Sequence, residues 1–249
     1  MDKDFFKTYF KLDSIPAYKC PACRKGTLMK VDHFAQSTAA SNREMEQGSV
    51  EGWWEPENDV QIFRVDLKCG SCQEIIIAIG DGFVEQEHEV DFNGEWERYW
   101  VTYYRPQYFW PPLQFINCPP ATPDDVCKHL HNAAAQYFSS PASACNSLRM
   151  AAEEILNTLG IERSTREKFI SLGNRIKKLP NDSNEFALLD AIRWLGNDGS
   201  HSDSTLNHDD VESAFTIMDV LVEVLFSDRQ RKTIELAGKI RESKGPVRR

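Results

Sequence analysis

Two groups of residues in this chain have the types and the spacing to do chemistry. Cys20-Pro-Ala-Cys23 and Cys69-Gly-Ser-Cys72 are two C-x-x-C pairs. That spacing lets two thiolates clasp one ion from a tight turn, and two such turns complete a tetrahedral four-sulfur site of the kind that holds zinc. Gly70 and the segment Arg24-Lys25-Gly26 supply the permissive backbone the turns need. Four thiolates leave no open coordination position, so the zinc expected on Cys20, Cys23, Cys69 and Cys72 is structural. Disulfides are the competing account, which an intracellular chain disfavours. A thioredoxin-like redox role would want one C-x-x-C opening a helix, not two flanked by strand-like runs. Residues 24–68 between the pairs form a longer interval than a compact zinc ribbon uses, an insertion carrying Trp53-Trp54 and Pro56. Cys118, Cys127 and Cys145 have no ligand spacing and read as ordinary apolar residues.

The second group is Arg193-Trp-Leu-Gly-Asn-Asp-Gly-Ser-His201. An arginine on the last turns of an apolar-faced helix, then a Gly/Asn/Asp/Gly break, then a histidine can aim a fixed cation and a titratable imidazole at one spot. Arginine neutralises phosphate charge and histidine moves protons near neutral pH, a pairing suited to phosphodiester cleavage. The alternative is a helix-ending turn, with Gly196 and Gly199 leaving the helix and Arg193 paired with Asp190 or another acid. Glu153-Glu154 are adjacent on a helix and point in different directions, so they read as a solvated face with one inward salt bridge. The aromatic run Trp100, Tyr103, Tyr104, Tyr108, Phe109 and Trp110 either stacks on nucleobases or packs two domains together.

Composition limits the rest. The 249 residues carry 41% hydrophobic and 27% charged residues, enough for one large domain or two small ones. No run of eighteen apolar residues occurs and the first residues lack a signal-peptide core, which points to a soluble, cytoplasmic protein with no membrane partner. The formal charge of −9 argues against a general duplex-binding surface. The acidic insertion fits docking to a basic partner protein, or shielding of the helical region, better than contact with phosphates.

The elements that must position these residues change character near residue 120. Before it, Val60 to Leu67 alternates, Glu74 to Ile79 is β-branched and Trp96 to Phe115 is rich in aromatics, all strand patterns. Turns are expected at Gly80-Asp81-Gly82 and Asn93-Gly94. Arg105 to Pro112, through Pro119-Pro120, reads as an extended linker because proline forbids helix and central strand. Beyond it, cap signals at Thr122-Pro123, Ser140-Pro141, Ser164 to Glu167, Asp182 to Glu185 and Asn207 to Asp210 predict helices. Their expected ranges are about 123–138, 141–159, 165–179, 183–196, 208–226 and 228–243, each end open by ~2–4 residues. Such helices with short connections form an antiparallel bundle.

One helix carries Leu148-Arg149-Met-Ala-Ala-Glu153-Glu154-Ile-Leu, a second runs from Ile170 to Leu179, and Ala191 to His201 precedes a further apolar helix. In this order the elements resemble the helical domain called domain of unknown function 4145, over roughly residues 125–230. That domain in turn is similar to the HEPN superfamily of small helical bundles, many of them metal-independent RNases of bacterial defence and toxin systems, paired across a homodimer. The resemblance implies that Arg193 binds the scissile phosphate, that His201 is general acid or base, and that Asn197 orients one of them. Arg149 and Glu153 would contribute from the neighbouring helix. The implied partners are RNA, a second copy of the chain and a defence-system protein. Seven residues separate Arg193 from His201, where the superfamily typically has four to six.

The expectation is therefore an α+β chain. A zinc-ribbon-like β domain at residues 1–118 precedes an all-α HEPN-like bundle at 119–249. Its function is that of an RNA-cleaving effector, a non-catalytic partner-binding module, or a zinc-ribbon nucleic-acid sensor.

Overall fold

A computed structural model of the chain describes residues 6–90, 94–164, 169–198 and 206–246. The strand patterns become a four-stranded antiparallel meander in the order β1-β2-β3-β4: β1 (Leu28–Ser37), β2 (Val60–Cys69), β3 (Ile75–Val90) and β4 (Trp96–Trp110). The insertion between the cysteine pairs is thus mostly regular structure. Helix α1 (Ala39–Glu51) joins β1 to β2, opened by Thr38, whose side chain accepts from Ser41 N–H, and closed by Gly52 at φ +80°.

Two expectations for this half are corrected. Gly80-Asp81-Gly82 is not a turn but lies inside β3. A Cβ on Gly80 would collide with the Arg105 carbonyl, at a place where the β3–β4 register shifts; a glycine in a strand interior marks just such a close backbone approach. Nor does the linker begin at Arg105, because β4 continues to Trp110 with Pro106 inside it. Proline is excluded from a central strand, but β4 is the last strand of the meander, where a missing ladder donor costs little.

The second half contains α2 (Asp124–Gln136), α3 (Pro141–Thr158), α4 (Leu172–Ile176), α5 (Asn184–Asp198), α6 (His208–Phe226) and α7 (Arg229–Ser243). Ser140 caps α3 through Ser143 N–H with Pro141 at its first turn, and Asn207 with Asp210 forms a complete capping box on α6. The expected helix at 165–179 is shorter: residues 165–168 lie outside the described residues, and α4 starts only after Ser171, which caps it through Asn174 N–H. At α5 the capping side chain is Ser183, accepting from Phe186 N–H at 3.1 Å. No helix among the described residues is long and apolar enough to cross a membrane.

Alternation sends Phe63, Val65 and Leu67 of β2, Ile76 and Ala78 of β3 and Phe109 of β4 to one face of the sheet, where they are buried. The chain segment around Phe6, Phe10 and Tyr18 lies between that face and the helices. Tyr18 meets both Phe109 (5.2 Å) and Phe138 (6.4 Å), and Phe6 meets Phe115 (5.0 Å) and Phe215 (6.2 Å). Tyr137 donates its hydroxyl hydrogen to the Phe6 carbonyl at 3.0 Å. One hydrophobic core therefore runs from the strands into the helices, each large apolar side chain in it contributing ~1.5–3 kcal/mol by burial. Helix α3 occupies the middle of the bundle, with Leu148, Ala151, Ala152 and Ile155 fully buried.

Candidate functional site

The first candidate site forms where β2 ends. Cys69 is the last residue of β2 and Cys72 follows in the turn to β3, while Cys20 and Cys23 come from the loop before β1. The Gly70 amide donates to the Thr27 carbonyl at 3.1 Å, tying one turn to the other. Arg24 and Gln73, one residue past each pair, adopt positive φ of 59° and 67°, which folds each C-x-x-C back on itself.

All four Sγ atoms lie within 4.8 Å of one another, with Cys20–Cys72 and Cys23–Cys69 at 3.6 Å. A tetrahedron with zinc–sulfur bonds of ~2.3 Å has sulfur–sulfur edges of about 3.8 Å. Backbone amides also aim at the sulfurs: Gly26 N–H at Cys23 (3.4 Å) and Ser71 and Cys72 N–H at Cys69 (3.3 and 3.4 Å). The Gly26 and Lys25 amides pull the Cys23 thiol down to about 6, and the Cys72 and Ser71 amides lower Cys69; the thiolate is the metal-binding form. Four sulfurs this close cannot all be thiolates without a cation among them. The cluster can hold a metal ion, and the four expected ligands are brought together. Cys118, Cys127 and Cys145 are not part of it.

The second candidate site lies between α3 and α5. Asp190, Arg193, Trp194 and Asn197 recur at three- and four-residue steps, which puts them on one face of α5. Arg193 Nε binds Asp190 Oδ1 at 2.8 Å, and its guanidinium sits 4.1 Å from the Trp194 ring centroid. From α3, Arg149 donates to Asn197 Oδ1, and its Nε lies 3.7 Å from Glu153 one turn on. Glu153 also faces Arg163 at 3.6 Å, which makes it the inward-paired member of the Glu153-Glu154 doublet.

Gly196 lets this happen. A Cβ there would come 2.6 Å from the Arg149 Cβ, so only glycine allows α5 to cross α3 at this point. α5 runs on to Asp198, within the margin of its expected end, so Gly196 lies inside the helix.

Arg149, Arg193 and Asn197 line one open cleft of about 520 Å3, with Ser171, Asn174 and Lys177 from the α4 region. Three cations thus border one concavity on a chain of net charge −9. Of the residues singled out for catalysis or substrate contact, Arg149, Arg193 and Asn197 come together, and Glu153 stands behind Arg149. His201 lies outside the described residues. Sequence reasoning missed Lys177 and Trp194; the one-face spacing of Asp190, Arg193, Trp194 and Asn197 was the available signal for the latter.

Beneath the cleft, Arg175 of α4 is fully buried. It donates to the Ile161 carbonyl (2.9 Å), the Glu153 carbonyl (2.9 Å) and Asn157 Oδ1 (2.7 Å). This ties α4 to the turn of α3 that carries Glu153.

Two family models match separate parts of the chain. Residues 8–109 match a model described as Domain of unknown function (DUF8608). Residues 131–243 match one described as Domain of unknown function (DUF4145), in keeping with the resemblance carried by Arg149 to His201. No curated protein and no solved structure matches the chain.

Proposed function

We propose that the α3–α5 cleft is a phosphodiester site and that the chain is a metal-independent RNA-cleaving effector of a bacterial defence or toxin-like system, built on a HEPN-like bundle. One observation carries this reading: Arg149 and Arg193 reach a single open cleft with Asn197 although the molecule is acidic overall. Guanidinium groups present forked donors to phosphate oxygens. Arg193 binds the scissile phosphate and stabilises its added charge in the pentacoordinate state. Asn197, held by Arg149, orients the phosphate. His201, three positions past the end of α5 in sequence, takes the proton from the ribose 2′-hydroxyl or gives one to the leaving 5′-oxygen. The 2′-oxygen bonds to phosphorus as the P–O5′ bond breaks, leaving a 2′,3′-cyclic phosphate and a 5′-hydroxyl. The four-cysteine cluster holds zinc in a ribbon-like turn pair that needs the metal to fold and takes no part in the chemistry.

Incubation of the purified chain with single-stranded and transfer RNA, with end-group analysis, tests this. Cleavage to cyclic phosphate ends, insensitive to chelator in the assay and lost in Arg193→Ala and His201→Ala, is the expected result. Intact RNA sinks the catalytic reading. A second reading, a non-catalytic module that binds a partner protein, draws on the ion pairs already occupying Arg193 and Arg149; intact RNA together with binding of a basic partner protein would select it.

A further inference from the structure

β3 is apolar at five consecutive positions, Ile75-Ile-Ile-Ala-Ile79. Ile76 and Ala78 are fully buried against the core, while Ile75, Ile77 and Ile79 on the opposite face are 52, 36 and 46% exposed. An antiparallel sheet with one solvated face alternates apolar with polar, and unbroken apolar runs belong to strands covered on both sides. The register spreads the outer stripe across the sheet. Ile77 pairs with Trp110 and Ile79 with Tyr108 on β4, and Arg64, opposite Ile79, pairs on its other side with Phe34 of β1. Ile62 on β2 and Met29 on β1 extend it, and every one of these large side chains is a third to three-quarters exposed.

Around this stripe the charges cancel, while the acids Glu85, Glu87 and Glu89 on the same face lie farther along β3. Arg64 pairs with Asp66 at 3.0 Å and Arg105 with Asp81 at 2.6 Å, and Asp32 and Lys68 add one of each sign. A nearly neutral patch on a chain of net charge −9 offers no attraction to a polyanion or to a strongly basic protein. An apolar centre with both signs around it is self-complementary, which is what a two-fold copy requires. Its exposed area, on the order of 800 Å2 for eight half-open large side chains, equals what one partner gives to a standard-size interface and exceeds the usual patch on a monomer.

We propose that the outer face of the β1–β4 sheet is the surface through which two copies of this chain associate, sheet packed on sheet. The interface lies on the β half and is independent of the cleft chemistry.

Sedimentation velocity of the full chain from about 1 to about 100 µM tests it, with Ile77→Glu, Trp110→Ala and, at an exposed position of α6, Val220→Glu. The parent is expected to be a dimer. Ile77→Glu and Trp110→Ala should raise its dissociation constant by roughly two orders of magnitude or more, with far-ultraviolet circular dichroism unchanged, and Val220→Glu should leave it intact. Because Trp110 is 73% exposed at a strand end, its truncation keeps the test valid if Ile77→Glu fails to fold. A monomeric parent overturns the proposal, as does a dimer that survives both sheet substitutions.

Discussion

The Cβ that Gly196 lacks would stand 2.6 Å from the Cβ of Arg149. This contact sets the spacing of α3 and α5, and with it the position of the guanidinium that reaches Asn197. Gly196→Ala sets two effects against each other. Alanine is the better helix former by up to ~1 kcal/mol, but the clash is with the first atom of the arginine stem, and overpacking of that kind costs about 1–3 kcal/mol. The clash should win: a net loss of about 1–2 kcal/mol in urea unfolding and weaker binding of a short oligoribonucleotide. A stabilised Gly196→Ala would show that the helices do not cross this closely.

Asp190 neutralises Arg193 across 2.8 Å. Asp190→Asn removes that charge while keeping the side chain's shape, so the guanidinium becomes available to phosphate. Affinity for an oligoribonucleotide should rise about 3- to 10-fold at low salt, a gain that shrinks as salt is added. Calorimetric titration checks this, and unchanged affinity would place the bound phosphate elsewhere.

The four-cysteine cluster should carry one zinc per chain by elemental analysis. Its amide-to-sulfur bonds and the Thr27–Gly70 contact depend on both turns staying closed, so prolonged chelation or Cys69→Ser should lower the melting temperature by ten degrees or more, on the order of the several kcal/mol a structural metal contributes. A chain that purifies without metal and melts unchanged as Cys69→Ser rules the centre out.

His208 opens α6 with its ring 5.1 Å from that of Tyr137. Its Nε2 is buried without a hydrogen-bond partner among the described residues. Burial lowers its pKa below the ordinary 6.5, against the opposing backbone carbonyls of Phe138 and Tyr137. The unfolded chain therefore binds a proton at this site at a higher pH than the folded one, so stability is full above about 6.5 and declines as pH falls through the depressed value. His208→Gln should flatten that part of the melting temperature profile between pH 7 and 5; a profile parallel to the parent's would show that other groups carry the acid sensitivity.

Much of this was legible from the chain itself. The C-x-x-C spacing named all four clustered cysteines, because a knuckle is a local device whose ligands are set by sequence distance. The helix ranges followed from caps at Ser140 and Asn207, since a cap acts within three residues of its donor. Arg193 stood out by its place before the Gly/Asn/Asp/Gly break, whereas Arg149 and Asn197 were named through a resemblance. What local pattern misread had non-local causes. Gly80 looked like a turn because its real partner, the Arg105 backbone, is twenty-five positions away. Pro106 looked like a linker because only the sheet order reveals β4 as an edge. β1 and α1 escaped notice because the bulge between Lys30 and Asp32 breaks the strand's alternation and α1 buries only Ser41 and Gly48. The tertiary structure alone decided that Gly196 is a crossing point, that Asp190 holds Arg193, and that Ile75, Ile77 and Ile79 face outward. Each depends on which surface of one element meets another, and periodicity specifies a face but not its partner.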